Sequence, residues 1–147
     1  MKLYFPERGI YKHVQIPPER NREMIKTKCV YDPVEESDGF RILIMRKWPR
    51  GIGYRKNNKR GMIDFWCKEL GPYIDLLDNW NGKKITWPQY VKQYRAEQKR
   101  STAAKKETEF LAVQSVDKTV TLLCKEREND PHCHRHILRK IIYLKAK

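Results

Sequence analysis

Hydrophobic and polar positions follow two rhythms along this chain. Residues 119–123, Thr-Val-Thr-Leu-Leu, are a short β-branched and apolar run with polar neighbours, the pattern of a buried strand. Ile42-Leu43-Ile44-Met45, inside residues 40–46, predicts a second strand buried on both faces, as in a parallel sheet. Residues 28–31 predict another, closed by Asp32-Pro33 and an acidic turn ending at Gly39.

Elsewhere the spacing is helical. Ile63, Trp66 and Leu70 predict a short helix over residues 62–70, broken by Gly71-Pro72. Leu76, Leu77 and Trp80 predict the next, over residues 73–80. Thr86 and Gln89 match a capping box and start a helix on which Tyr90, Val91 and Tyr94 share a face, ending near Ser101-Thr102. A further helix sends Phe110, Leu111 and Val113 into the core. The last, residues 131–144, takes Asp130 as N-cap and Pro131 as first residue, and buries Ile137, Leu138, Ile141 and Ile142.

This order predicts an α/β fold: a small, mostly parallel sheet flanked by helices, in a single compact domain (27–147) with an N-terminal arm (1–26). The arm, with Pro6, Pro17 and Pro18, reads as an edge strand, a hairpin or a wrap around the domain. A helical crossover joins residues 40–46 to 119–123. If those strands are parallel neighbours, the segments after them leave the sheet on one edge. That edge is where α/β sheets usually bind ligands.

Charge sharpens this expectation. The chain carries a formal +14 over 147 residues, which favours polyanionic partners. Arg46, Lys47, Arg50, Arg55, Lys56, Lys59 and Arg60 are clustered with no acidic residue among them. Trp48 and Tyr54 lie between, so the loop reads as a nucleic-acid or nucleotide surface, with cations on phosphates and rings on bases. Trp48, directly after a strand, fits a core position at least as well. No apolar run approaches the ~20 residues of a membrane helix, the four cysteines show no close pairing, and no signal-peptide pattern is seen. The expectation is a cytoplasmic protein with reduced thiols and no membrane partner.

A second chemistry is concentrated in residues 124–136. Cys133, at a helix start beside imidazoles, reads as a thiolate nucleophile. His134 or His132 would carry protons, Glu126 would orient, and Arg50 or Arg135 would clamp an anion. Cys133 as a small packing residue, and Arg135 paired with Glu126, are the structural alternatives. Cys124 and Cys133 with His132, His134 or His136 are also suitable zinc ligands, His132 and His136 lying one turn apart; no other cofactor is predicted. Cys133 and Arg139 have the spacing of a tyrosine-phosphatase signature but lack its glycine-rich loop. An interaction-only scaffold is the third class. Phosphate-ligand binding ranks first, because its signal is collective.

Lys28-Cys29-Val30-Tyr31-Asp32-Pro33, Ser37-Asp38-Gly39-Phe40-Arg41-Ile42-Leu43-Ile44 and Trp48-Pro49-Arg50-Gly51 together resemble the YeaO-like family. The likeness continues through Trp66, Leu70, Pro72, Trp80, Tyr90, Tyr94, Glu97 and Val120-Thr121-Leu122-Leu123. Cys133-His134-Arg135, with Cys124 and Glu126 upstream, is similar to the Cys-His-Arg ending of other branches of that wider family. Met45 stands where the family commonly has an aspartate, and Tyr73 where it has a serine. The resemblance implies a compact α/β fold and assigns no reaction.

Overall fold

The computed structural model describes residues 2–5, 10–13, 24–52 and 62–145. The arm contributes a two-stranded antiparallel hairpin, β1 (Lys2–Phe5) and β2 (Ile10–His13). The main sheet has four parallel strands, β3 (Ile25–Cys29), β4 (Phe40–Leu43), β5 (Phe65–Trp66) and β6 (Val120–Cys124), in the order β3-β6-β4-β5. The helices are α1 (Ile74–Asn81), α2 (Trp87–Arg100), α3 (Thr102–Gln114) and α4 (His134–Lys145).

All five residues of β6 are buried, as a central parallel strand covered on both faces requires. Alternate residues feed two cores. Ile42, Ile44 and Leu122 pack with Leu111 of α3 and Leu138 and Ile142 of α4. Leu43 and Leu123 face the other way, onto Val30, Ile52 and Trp48. Among the described residues no helix is long and apolar enough to cross a membrane.

The predicted pairing of residues 40–46 with 119–123 is present, with Phe40 opposite Val120 and Leu43 opposite Leu123. Both halves of the Thr86/Gln89 capping box are made, at 3.3 and 2.8 Å. Ser101 separates α2 from α3, and its hydroxyl accepts the Ala104 N–H.

Four expectations are corrected. The first strand is Ile25–Cys29 rather than 28–31, so Ile25 and Lys26, assigned to the arm by sequence, already belong to the sheet; a turn from Asp32 N–H to Cys29 C=O ends it. Residues 62–70 are not a helix: Phe65–Trp66 pair with β4, and a 3-10 turn Lys68–Leu70 follows. Phe110 is exposed at 38%, its ring edge-on to Phe65, while Ala104, Thr108, Leu111 and Ala112 form the buried face of α3. The last helix starts at His134, because Asp130 caps the His132 N–H in a local turn three residues too early.

Two glycines close the turns at the two ends of β4, Gly71 at the edge where the site lies and Gly39 at the opposite one. Gly39 has φ +61°, and a Cβ there would meet the Thr119 carbonyl oxygen at 2.3 Å. No L side chain fits that conformation and contact. A Cβ on Gly71 would lie 2.4 Å from the Arg46 backbone nitrogen, so only glycine lets this turn close onto the end of β4.

Candidate active site

The parallel pairing of β4 with β6 brings their two following segments out side by side. One is Met45-Arg46-Lys47; the other is the loop from Lys125 to Cys133, which leads into α4. They border a cleft of about 90 Å³, room for about three waters. Its walls are Met45, Pro72, Leu77, Trp80, Tyr90 and His132, its basic residues Arg46, Lys47 and Lys125, and its reactive groups Cys124, Glu126, Cys133 and His134.

These reactive groups form one buried cluster. Cys124 ends β6, with its Sγ 2.8 Å from Glu126 Oε2. Cys133 immediately precedes α4, with its Sγ 3.6 Å from the same oxygen and 4.0 Å from His134 Nδ1. His134 Nε2 is 2.6 Å from the Ile44 carbonyl oxygen. A carbonyl only accepts, so Nε2 carries a proton and Nδ1 faces the thiol. Tyr94 packs against the imidazole, 5.5 Å between ring centres, and donates its hydroxyl to the Leu70 carbonyl.

The electrostatics separate the two thiols. A hydrogen bond from Cys124 is the largest influence holding Cys133 well below the ordinary thiol range. Burial opposes it, while the bond and charge of His134 and the Arg135 backbone N–H add to it. Cys124 moves the other way: its bond to Cys133, then burial, then the Cys133 and Glu126 charges push it far up. Burial would lower His134, but the Cys133 bond and charge and the Ile44 carbonyl outweigh it and raise it. Cys133 and His134 are thus both biased towards their charged forms, and Cys124 towards its protonated one.

Arg135 holds the loop in place. It is fully buried and donates to the carbonyls of Glu126 and Arg127. Thr27 donates to the Glu128 carboxylate at 2.7 Å, the Cys29 thiol to the Lys125 carbonyl at 3.5 Å. These ties fix Glu126 over the two sulfurs.

Several sequence expectations move accordingly. Arg135 is not an open fork for an anion, and its bond to Glu126 is to the backbone rather than an ion pair; its carboxylate contact is Glu128, at 3.8 Å. Glu126 touches the thiols, and the group orienting His134 is the Ile44 carbonyl. Arg46 borders the cleft but is clamped by the carbonyls of Gly71 and Pro72, by Glu69 at 3.0 Å, and over the Tyr73 ring. Arg50 is exposed outside the cleft lining, and its carbonyl accepts the Tyr31 hydroxyl. Trp48 is a core residue: its Nε1–H donates to Ile52 C=O, and its ring meets Trp66 edge-on. Arg55, Lys56, Lys59 and Arg60 lie outside the described residues.

A metal ion has a geometrically suitable set. One ligand atom each of Cys124, Cys133 and His134 lie within 4.8 Å of one another. The predicted His132 and His136 are not part of it: His132 packs on Trp87 and Trp80, and the His136 ring is bonded to the Asp130 carbonyl. Sequence spacing favoured the one-turn His pair; the fixed position of His134 depends on a carbonyl 90 residues away, which no local pattern shows. Trp80 and Tyr90, which line the cleft, were read from sequence only as core.

The family model described as "Active DUF488-N3 subclade" matches residues 25–146. The uncharacterized protein YeaO of Escherichia coli (strain K12) is 42% identical over 73 residues, 50% of this chain and 60% of that protein. The uncharacterized proteins Mb3100c of Mycobacterium bovis and Rv3073c of Mycobacterium tuberculosis are each 30% identical over 97 residues, 66% of this chain and 78% of theirs. No solved structure matches. With a family match running from the first strand of the sheet to the last helix, the chain belongs to the YeaO-like DUF488-N3a family.

Proposed function

We propose that the protein is a thiol-dependent enzyme in which Cys133 is the nucleophile. The observation that carries the reading is the Cys133–His134 pair in the cleft: Sγ and Nδ1 are 4.0 Å apart, and the far ring nitrogen is fixed on the Ile44 carbonyl. Cys133 attacks an electrophilic centre of the substrate, and His134 returns a proton to the leaving group. Arg135 is a positioning residue for the Glu126 loop. The family's description as an active subclade agrees with this.

The cleft's size narrows the substrate. At about 90 Å³ it is well under the ~300 Å³ of the smallest pockets that enclose a drug-sized ligand. Only a reacting group enters, and the rest of the substrate lies outside. Lys47 and Lys125 favour an anionic substrate, which keeps a phosphate-bearing ligand as the preferred class. Nucleic-acid binding through the basic loop is the weaker reading, since Arg50 is outside the cleft lining and Arg46 and Arg135 are bonded within the fold.

Zinc on Cys124, Cys133 and His134 is the second reading, favoured by their mutual spacing. One experiment separates the two: iodoacetamide labelling of Cys133 against pH, with and without a chelator. A nucleophile labels at a rate nearly flat between about pH 5 and about pH 8, chelator or not, and a nucleoside monophosphate slows it. A rate that climbs with pH like a free thiol sinks the proposal. Labelling that appears only after chelation transfers the site to the metal reading.

A further inference from the structure

The nucleophilic reading gives Cys124 no part in the chemical steps, although it is buried at 3% exposure and shares the Glu126 oxygen with Cys133. We propose that Cys124 is a resolving thiol, and that the site reduces a hydroperoxide by closing a Cys124–Cys133 disulfide. Three observations bear on it. The two sulfurs lie within 4.8 Å, so rotation of the side chains and a small shift of the intervening loop bring them to the ~2.05 Å of a disulfide. The cleft admits a group the size of a few waters, which suits a peroxide's O–O end. Groups that can move both protons are already in contact with the sulfurs.

The steps balance. The Cys133 thiolate attacks the terminal peroxide oxygen; an S–O bond forms, the O–O bond breaks, and two electrons pass from sulfur to the peroxide. The departing alkoxide or hydroxide takes the proton from His134 Nδ1, leaving Cys133 as sulfenic acid. The Cys124 sulfur then attacks the sulfenic sulfur while Glu126 takes the thiol proton. Hydroxide leaves, collects that proton and departs as water. A hydroperoxide and two thiols have become an alcohol (or water), water and a disulfide. A dithiol reductant resets the pair.

The test treats the full chain with hydrogen peroxide and maps disulfides by peptide mass, needing no variant. The expected product is a Cys124–Cys133 link, reversed by dithiothreitol, with Cys29→Ser giving the same result. Cys29 is the control because it is the register partner of Cys124 on the neighbouring strand. In Cys124→Ser, Cys133 should pass on to sulfinic and sulfonic acids, and dithiothreitol should no longer restore its labelling. Cys124→Ala guards against a folding artefact of the serine. A Cys29–Cys124 link, or full recovery of Cys133 in both Cys124 variants, overturns the proposal. The inference shares Cys133 with the enzyme reading, and the outcomes separate them: flat labelling without a disulfide removes only the resolving thiol, whereas no reactive thiolate removes both.

Discussion

Two buried polar clusters flank the central strand β6, and they are built on opposite principles. In the first, both oxygens of Asp38 are satisfied: Lys28 reaches one at 3.0 Å, and Arg41, Lys28 and the Glu35 N–H converge on the other. Arg41 also donates to the Met62 carbonyl, and Thr121 on β6 to the Asp38 carbonyl. In the second, two thiols share one oxygen of Glu126, and the charge on Cys133 faces an imidazole across 4.0 Å at the cleft. The first cluster is turned inward, its carboxylate fully bonded and only Arg41 Nη2 buried without a partner. The second is short of donors and borders open space, as groups that must react with something else have to be.

The largest expected effect breaks the first cluster. Asp38→Ala leaves Arg41, only 1% exposed, without its carboxylate partner, while Lys28 keeps Glu35 at 3.5 Å. Removing one partner of a buried pair costs about 3–5 kcal/mol. Cys133→Ser, which keeps size and polarity and strips no buried guanidinium of its carboxylate, should cost less. Urea unfolding midpoints of the two variants measure the contrast. A Cys133→Ser loss as large as that of Asp38→Ala would make the second cluster structural too.

A smaller effect sharpens the second cluster. His134→Asn removes both the bond and the charge on Cys133 while leaving the hydrogen bond from Cys124. The thiol should then titrate closer to its free value of about 8.5. The pH midpoint of iodoacetamide labelling should rise by at least about one unit relative to wild type, about 1.4 kcal/mol. An unchanged profile would mean that His134 does not set the thiolate.

How much of this was legible beforehand differs between the clusters. The parallel pairing of β4 with β6 followed from two apolar runs with helices between them, and it alone predicts that Arg46-Lys47 and Cys133 emerge together. Glu126, Cys133 and His134 could be named as chemistry-bearing for the same reason. Their roles could not, because each depends on a distant backbone atom: His134 on Ile44, Arg46 on Gly71 and Pro72. Arg135 misled because a guanidinium on a first helical turn has the same sequence appearance whether it meets an anion or the carbonyls of its own loop. β5 was hidden because Ile63, Trp66 and Leu70 satisfy a helical period, and a two-residue strand is too short to show its own. Asp38–Arg41 went unremarked, since an i, i+3 pair of charges before a strand resembles any solvated turn.

The gentlest test asks how the first cluster responds to acid. Burial alone would raise the Asp38 carboxyl, but the Glu35 N–H, Lys28 and Arg41 outweigh it and hold it below its ordinary value of 3.8. A carboxyl with a depressed folded pKa stabilises the fold above its unfolded value and loses that contribution as pH falls through the folded one. The gap in unfolding free energy between wild type and Asp38→Asn should therefore be widest at neutral pH and shrink only below 3.8. Cys133→Ser supplies the comparison. Its thiol is also depressed, so its contribution is complete only above its ordinary value of 9.0 and is lost progressively as pH falls from there towards its folded value. The gap between wild type and Cys133→Ser should therefore narrow across neutral pH, where the Asp38→Asn gap stays level. A Cys133→Ser gap that stays level through neutrality and closes only below 3.8, together with that of Asp38→Asn, would mean that the clusters titrate as one unit, and that the distinction between an inward charge network and an open reactive one is wrong.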